Sequence, residues 1–323
     1  MINIPNNDSN IIDKDKLIVE LIKHISIQSN RIDISTNFEG PCAKSLGLYD
    51  LLDFICAEFN YPKNQIYIHT CNLIEAHAEY NIIITPQMGY LMQARDFLTK
   101  HGLVDKNFNN IKHFGNFIGH GNVHRLHLAS YLHKKYKDKT LATYHCNVTD
   151  SYHRPFLSIE DMMFLGYNNE EVDSGLSLLR DSPIKIDSID QYPILLPTTL
   201  NIFKVYSNFF VEIANVTYFT GNTFYIDEKL WRPLLSKTPF IVQGPQYFLE
   251  NLRKLGFQTF SDFWDEGYQE DPASHQPREI IKVIDYISNF SNQQLLDMYN
   301  SMTPILEHNR QRAFEILESD FKI

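Results

Sequence analysis

The stretch richest in usable chemistry is residues 224–245, FYIDEKLWRPLLSKTPFIVQGP. It opens a predicted helix over 228–236 with an acidic–basic pair, Glu228 and Lys229. It then passes through a predicted strand over 239–242 to Gly244 and Pro245. A carboxylate such as Glu228 can accept two hydrogen bonds from a ribose diol. Lys229 adds a compact positive charge suited to a diphosphate. The free N–H groups of a helix start favour the same anion. Gly244 has no Cβ and lets a ligand approach the backbone closely, and open α/β sheets bind ligands beyond the carboxyl ends of their strands. The plainer readings are a solvated ion pair for Glu228–Lys229, core packing for Trp231 and a simple turn for Gly244–Pro245.

A second constellation lies in residues 114–132, FGNFIGHGNVHRLHLASYL, where a predicted strand turns through a Gly-containing loop into a helix carrying Arg125. The planar fork of an arginine there can grip two phosphate oxygens. Eight of the 13 histidines fall between His101 and His153. His120, His124 and His127 have spacings that could ligate a metal on one helix face. Gly119 and Gly121, however, put His120 in the turn before the helix, and no carboxylate completes a signature such as HExxH. No metal site is expected, and His124 is placed beside the phosphates by position.

The elements that must hold these residues alternate between helix and strand. Helical spacing covers 17–24, 45–59, 89–101 and 125–136, and strand-like runs cover 65–69, 81–85, 111–118, 141–146 and 239–242. Residues 202–219 also read as strand-like, 246–255 as a helix, and the tail from Arg278 as almost all helix. Residues 1–14 read as a loose tail. Such alternation predicts parallel sheets with helices on their faces. A length of 323 residues suggests two domains. The polar run 102–112 suggests a boundary, giving an N-terminal domain over 1–104 and a second over 105–304. The helix 305–323 is then expected to pack back on the first.

Composition narrows the class. The chain is 43% hydrophobic with 22 Phe and 18 Tyr, enough for real cores. A formal net charge of -10 speaks against bulk phosphate attraction of the kind a non-specific DNA binder uses. Cys42, Cys56, Cys71 and Cys146 form no CxxC pair, so a reducing compartment is expected. No apolar run approaches the ~20 residues of a membrane helix, and the polar start MINIPNNDSNIIDKDK is unlike a signal peptide. A cytoplasmic chain is expected. Its Asn, Ile, Lys and Tyr content suits an AT-rich bacterium or a virus, where the compartment would be the host cytoplasm.

Segment 224–245 resembles the donor-binding motif of the α1,3-fucosyltransferase family, Y-[IV]-T-E-K-L-[WY]-x-[NA]-[AL]-L followed by a valine-rich strand and G-[PA]. Tyr225, Ile226, Glu228, Lys229, Leu230, Trp231 and Leu235 match, while Asp227 stands for Thr and Pro233 for Asn. The Arg125 block is similar to the same family's R-x-x-[LF]-x-x-L helix start. The run LGFQTFSDFWDEGY over 255–268 is similar to one in phage and bacterial glycosyltransferase-like chains. The resemblance covers about residues 110–275. It implies an α/β GT-B fold, two Rossmann-like domains facing a cleft. It also implies transfer of a sugar from a nucleoside-diphosphate sugar, GDP-linked before other choices, to a hydroxyl on a carbohydrate or other acceptor. The reaction is expected to be inverting, with no metal or other cofactor required.

The family pattern implies donor contacts from Arg125, Glu228, Lys229, Tyr225, Gly244 and His124. A general base would come from the N-terminal domain, where Glu39 and Glu75 are the candidates and His77 the third choice. Val216 occupies the place of an acid in related phage-type chains, and Thr217 keeps the Thr beside it. Two alternatives follow: a transferase acting on a hydroxylated DNA base, and a nucleotide-sugar binding or scaffold protein without turnover.

Overall fold

Residues 209–215, FFVEIAN, are buried at every position. A strand buried along its whole length, mostly apolar but enclosing Glu212, belongs to a parallel sheet covered on both faces, and this one is central in its sheet. The computed structural model describes residues 1–3, 6–7, 11–27, 29–36, 41–119, 123–145, 159–186, 200–219, 221–272 and 274–318.

In chain order the elements are β1 (Ile2–Asn3), β2 (Asn6–Asn7), β3 (Ile11–Ile12), α1 (Lys14–Ser26), β4 (Ile32–Thr36), α2 (Leu48–Phe59), β5 (Ile66–Thr70), β6 (Asn81–Ile84), α3 (Gly89–His101) and β7 (Lys112–Ile118). Then follow α4 (Val123–Tyr136), β8 (Thr140–Tyr144), α5 (Ile159–Phe164), α6 (Asn169–Asp181), α7 (Leu200–Val205), β9 (Phe209–Asn215), α8 (Glu228–Leu235), β10 (Phe240–Gln243), α9 (Phe248–Lys254), α10 (Gln276–Ser288) and α11 (Asn292–Glu318).

The chain forms two compact units, each with its own parallel four-stranded sheet in a Rossmann-like α/β arrangement. The first contains Met1–Gln87 and Thr217–Tyr225. Its sheet has the order β1-β4-β5-β6, with all pairings parallel. Leu17 and Leu21 of α1 and Leu52 and Ile55 of α2 close a core over Ile32, Ile34, Ile66 and Ile68. Asp13 caps α1 by accepting from Lys16 N at 3.1 Å. The returning segment is bound by backbone and side chain: Leu73 N donates to Phe224 O at 2.8 Å, and Phe224 N donates to Asn72 Oδ1 at 2.8 Å.

The second unit contains Met88–Val216 and Ile226–Lys322. Its sheet has the order β10-β9-β7-β8 and is parallel throughout. The chain leaves β7 toward β8 on one side, then resumes with β9 and β10 on the other, so β7 and β9 flank the topological switch point. The helix α4 packs on β8 and on α6, while α8 packs on β9, α3 and α11.

Two sequence expectations are corrected. The loose tail contains β1, which pairs with β4 at Ile2↔Ile34; a single buried apolar residue, Ile2, was too short a signal. The strand-like run 202–219 begins as helix α7 and enters β9 only at Phe209. Its apolar residues are continuous, and continuity does not separate a buried helix from a buried strand. The tail from Arg278 is almost all helix, in two pieces, α10 and the 27-residue α11 with Pro304 inside it, and within the second unit α11 packs on α8 and α3. Among the described residues no helix is long and apolar enough to cross a membrane. Cys42, Cys56 and Cys71 are buried and form no disulfide among the described residues, and Cys146 lies outside the described residues.

Candidate functional site

The carboxyl ends of β7, β9 and β10 carry a row of amide side chains. The β7–β9 register ends at Gly115↔Glu212, although both strands run three residues further. Where the two part, Asn116 Nδ2 donates to Ile213 O at 3.1 Å. Asn215 and Gln243 are register partners at the ends of β9 and β10. They are 2% and 0% exposed. Asn215 Oδ1 and Gln243 Oε1 have no hydrogen-bond partner among the described residues. A buried acceptor left unpaired costs about 1–3 kcal/mol, so two together at a switch point mark a place where a donor group belongs. The sequence analysis missed all three amides. The signal for two of them was available, since Asn215 and Gln243 each close an apolar run, whereas Asn116 sits inside one.

The first turn of α4 lies on the same strand ends. Gln243 Nε2 donates to His124 O at 2.8 Å, and Arg125 Nη2 donates to Val216 O at 3.0 Å. Arg125 is 4% exposed. Burial pushes the His124 imidazole below its usual range and the Arg125 charge adds to this, so His124 is neutral at pH 7. Gly244 follows β10, and its N–H donates to Gln276 Oε1 at 3.1 Å. The structure thus brings Arg125, His124 and Gly244 together around Val216. His120 lies outside the described residues.

Gly244 has a packing role that the sequence did not reveal. A Cβ there would sit 2.7 Å from Val216 Cγ2, inside any real contact. Gly244→Ala should destabilise the second unit by about 1–2 kcal/mol. Most of that loss should vanish in a Val216→Ala background, as a double-mutant cycle of chemical unfolding would show. Additive losses would mean that the close approach is not the reason for the glycine.

The start of α8, a helix that packs on β9, carries the other candidate residues. Asp227 is the N-cap, and its Oδ1 accepts from Lys229 N at 3.0 Å. Lys229 Nζ contacts Asp227 Oδ2 at 3.2 Å and Glu228 Oε1 at 2.7 Å. Burial raises the Glu228 carboxyl, but Lys229 and then Arg232 outweigh it and hold the group well below the usual carboxylate range. Glu228 is therefore ionised across the working pH range and accepts hydrogen bonds only. The expected anion seat is tighter than the sequence suggested. Asp227 occupies part of the helix N-terminus with its own negative charge and shares Lys229. Trp231 lies in the core, 2% exposed, with its ring centroid 6.2 Å from that of Phe257.

Tyr225 belongs to the first unit, where its hydroxyl donates to Gln87 Oε1 at 3.4 Å. Glu75 is buried in the same unit. Its carboxylate accepts from Tyr49 Oη at 2.6 Å, Asn72 Nδ2 at 2.8 Å and Ala43 N at 3.1 Å. Those three donors make it a brace between the start of α2 and the turn after β5. The His77 ring lies tilted against that of Tyr49, with centroids 4.3 Å apart. Glu39 lies outside the described residues. In the 255–268 run, Glu266 accepts from Thr259 Oγ1 at 2.7 Å and Phe260 N at 2.8 Å, and Trp264 packs 5.2 Å from Phe260. That block closes a turn.

Among the described residues no group of three or more His, Cys, Asp or Glu side chains is placed to hold a metal ion. Comparison of the chain with protein-family models, with curated proteins and with solved structures finds no match.

Proposed function

We propose that the chain is a glycosyltransferase of the two-domain GT-B kind, taking its sugar from a nucleoside-diphosphate donor bound by the second unit. The observation that carries this reading is the pairing of Glu228–Lys229 at the first turn of α8 with Arg125 at the first turn of α4, both in a unit whose parallel sheet reverses order between β7 and β9. Arg125 and Lys229 would stabilise the leaving diphosphate electrostatically. Glu228, held ionised, would accept from the ribose diol. The unpaired amide oxygens of Asn215 and Gln243 supply acceptors for further donor groups of the same ligand. A GDP-sugar is the first choice, by the resemblance alone. The acceptor would be a hydroxyl compound, most simply a carbohydrate.

Thermal unfolding with GDP, UDP, CDP and dTDP tests this directly. A diphosphate at about 100 times its dissociation constant adds about 2.7 kcal/mol, which moves the midpoint by several degrees for a unit of this size. One diphosphate should stabilise the wild-type chain, and Lys229→Ala should abolish the effect. Asp227→Thr keeps a capping hydroxyl but removes the carboxylate beside Lys229, so it should tighten the same diphosphate. No stabilisation by any of the four sinks the reading.

One observation favours a second reading, nucleotide-sugar binding without turnover. Glu75 has its carboxylate engaged by three donors of its own unit, which leaves it poorly placed to take a proton. Diphosphate binding without release of free nucleotide from any sugar donor would select this reading.

A further inference from the structure

Arg232 is a fully charged side chain in the interior of the second unit, 2% exposed. It stands four residues after Glu228 on α8, so the two lie on one helix face. Its Nε donates to Tyr90 Oη at 3.1 Å, and its guanidinium carbon is 5.7 Å from the centroid of the Tyr90 ring. Tyr90 stands in the first turn of α3, which packs on α8. A guanidinium so placed is costly to desolvate, and an apolar residue of similar volume would pack the helix at lower cost. Its presence needs a partner that uses the charge.

Two of the ionisable groups around it, Glu212 and Lys106, do not compete for that role. Glu212 on β9 is 2% exposed and accepts from Tyr206 Oη at 2.7 Å. Burial pushes its carboxyl up to about 8, so it is mainly protonated at neutral pH. Lys106 donates to Tyr206 O at 2.6 Å and Phe209 O at 2.7 Å. Burial pushes that ammonium down to about 7, with Glu212 opposing. Lys229 Nζ is shared between Glu228 Oε1 at 2.7 Å and Asp227 Oδ2 at 3.2 Å. Arg232 is the deeply buried cation of the cluster, and it reinforces Lys229 on Glu228, the ionised carboxylate of its own helix face.

We propose that Arg232 is a positioning residue of the diphosphate-sugar site, clamped by Tyr90 so that its guanidinium holds the Glu228 carboxylate of the same helix face turned toward a ribose; this rests on the donor-site reading given above. Arg232 touches no ligand in this arrangement and acts through Glu228. The inference separates Arg232 from the core residues flanking it, Trp231 and Leu234, whose loss would affect stability without regard to Glu228.

A thermodynamic cycle reads this out. Wild type, Glu228→Gln, Arg232→Met, Arg232→Lys and the Glu228→Gln/Arg232→Met pair are checked for native circular dichroism and titrated calorimetrically with GDP, UDP, CDP and dTDP. Arg232→Met should weaken the preferred diphosphate about tenfold or more in the wild-type background and have little effect in the Glu228→Gln background. Arg232→Lys, which keeps the charge, should recover part of the loss. Equal weakening in both backgrounds, or none, overturns the inference. Carbon-13 titration of the Glu228 carboxyl needs no ligand: Arg232→Met, or Arg232→Gln should the first not fold, must raise the midpoint, and an unmoved midpoint also overturns it. If the midpoint moves but no diphosphate binds the wild-type chain, the donor-site reading falls while the Arg232–Glu228 coupling stands.

Discussion

At pH 8 to 9, Glu212→Gln should unfold at a higher temperature than the wild-type chain, and at pH 4 the two should nearly coincide. The Glu212 carboxyl is 2% exposed, in the middle of β9. Burial is the largest influence on it and raises it to about 8; Tyr206, Arg232 and Lys106 pull the other way and fall short. An unfolded glutamate ionises near ~4.3. The folded chain therefore holds a proton that the unfolded chain gives up, and the stability tied to it is full below that value and drains away as pH rises to about 8. Glutamine keeps an acceptor for Tyr206 Oη and has no proton to lose. The advantage of the variant should grow through that window and level off above it, reaching on the order of 4 kcal/mol, or roughly 10 °C for a unit of this size. Lys106 runs in the opposite sense: held down at about 7 by burial, it contributes stability at high pH that is lost as pH falls through 7, in both chains. Thermal scans of both chains from pH 4 to 9 decide the matter. A variant less stable at pH 8 would mean that Glu212 is ionised and paired with Arg232, which would also remove the reason for assigning the Arg232 charge to Glu228.

The parts of this fold legible in the sequence were those whose pattern is local. The runs 65–69, 81–85, 111–118 and 239–242 appear as β5, β6, β7 and β10 within a residue or two, because an apolar run closed by polar or glycine residues has one simple reading. The helix start at Glu228 was legible for the same reason, being set by Asp227 one residue before. What could not be read was whatever depends on a partner distant in sequence. The break between compact units falls at Gln87/Met88 and again around 217–225, because Asn72 and Leu73 hold Phe224 across about 150 residues. The ion pairing of Asp227 with Lys229 is local, yet its consequence, a helix start already carrying an anion, becomes clear only once both side chains are placed. Arg232 looked like one more helix residue; its importance comes from burial against Tyr90 of α3. The amide row of Asn116, Asn215 and Gln243 assembles only when three strands from different parts of the chain come into register.

Gly115 shows how much of the site depends on packing beneath it. Gly115 sits in the middle of β7, register partner of Glu212 on one side and Leu141 on the other. Glycine weakens a strand interior, and its presence there signals a close approach. A Cβ at this position would meet three atoms of the Phe209 ring at 2.6, 2.7 and 2.7 Å. Phe209 has nowhere to go: it is 0% exposed, packed against Phe117 at 5.4 Å and Tyr206 at 5.1 Å, with the Lys106 ammonium 5.1 Å from its ring centroid. A single methyl, as at Gly244, meets the new Cβ at one atom, but here an aromatic ring wedged among two others meets it at three. Gly115→Ala should therefore destabilise the second unit by about 3 kcal/mol or more, a fall in midpoint of roughly 6–12 °C. Phe209→Leu alone should also destabilise, through lost ring contacts. Combined with Gly115→Ala it should recover part of the alanine's loss, giving a coupling of about 1–3 kcal/mol in a double-mutant cycle. Because Phe209 and Tyr206 lie beside Lys106 and Glu212, the single variant should also disturb the Glu212 proton, and its pH profile should flatten toward that of Glu212→Gln. A Gly115→Ala chain as stable as the wild type would show that β7 and Phe209 do not approach as described, and the placement of Asn116 at the next position, with the amide row it begins, would have to be given up.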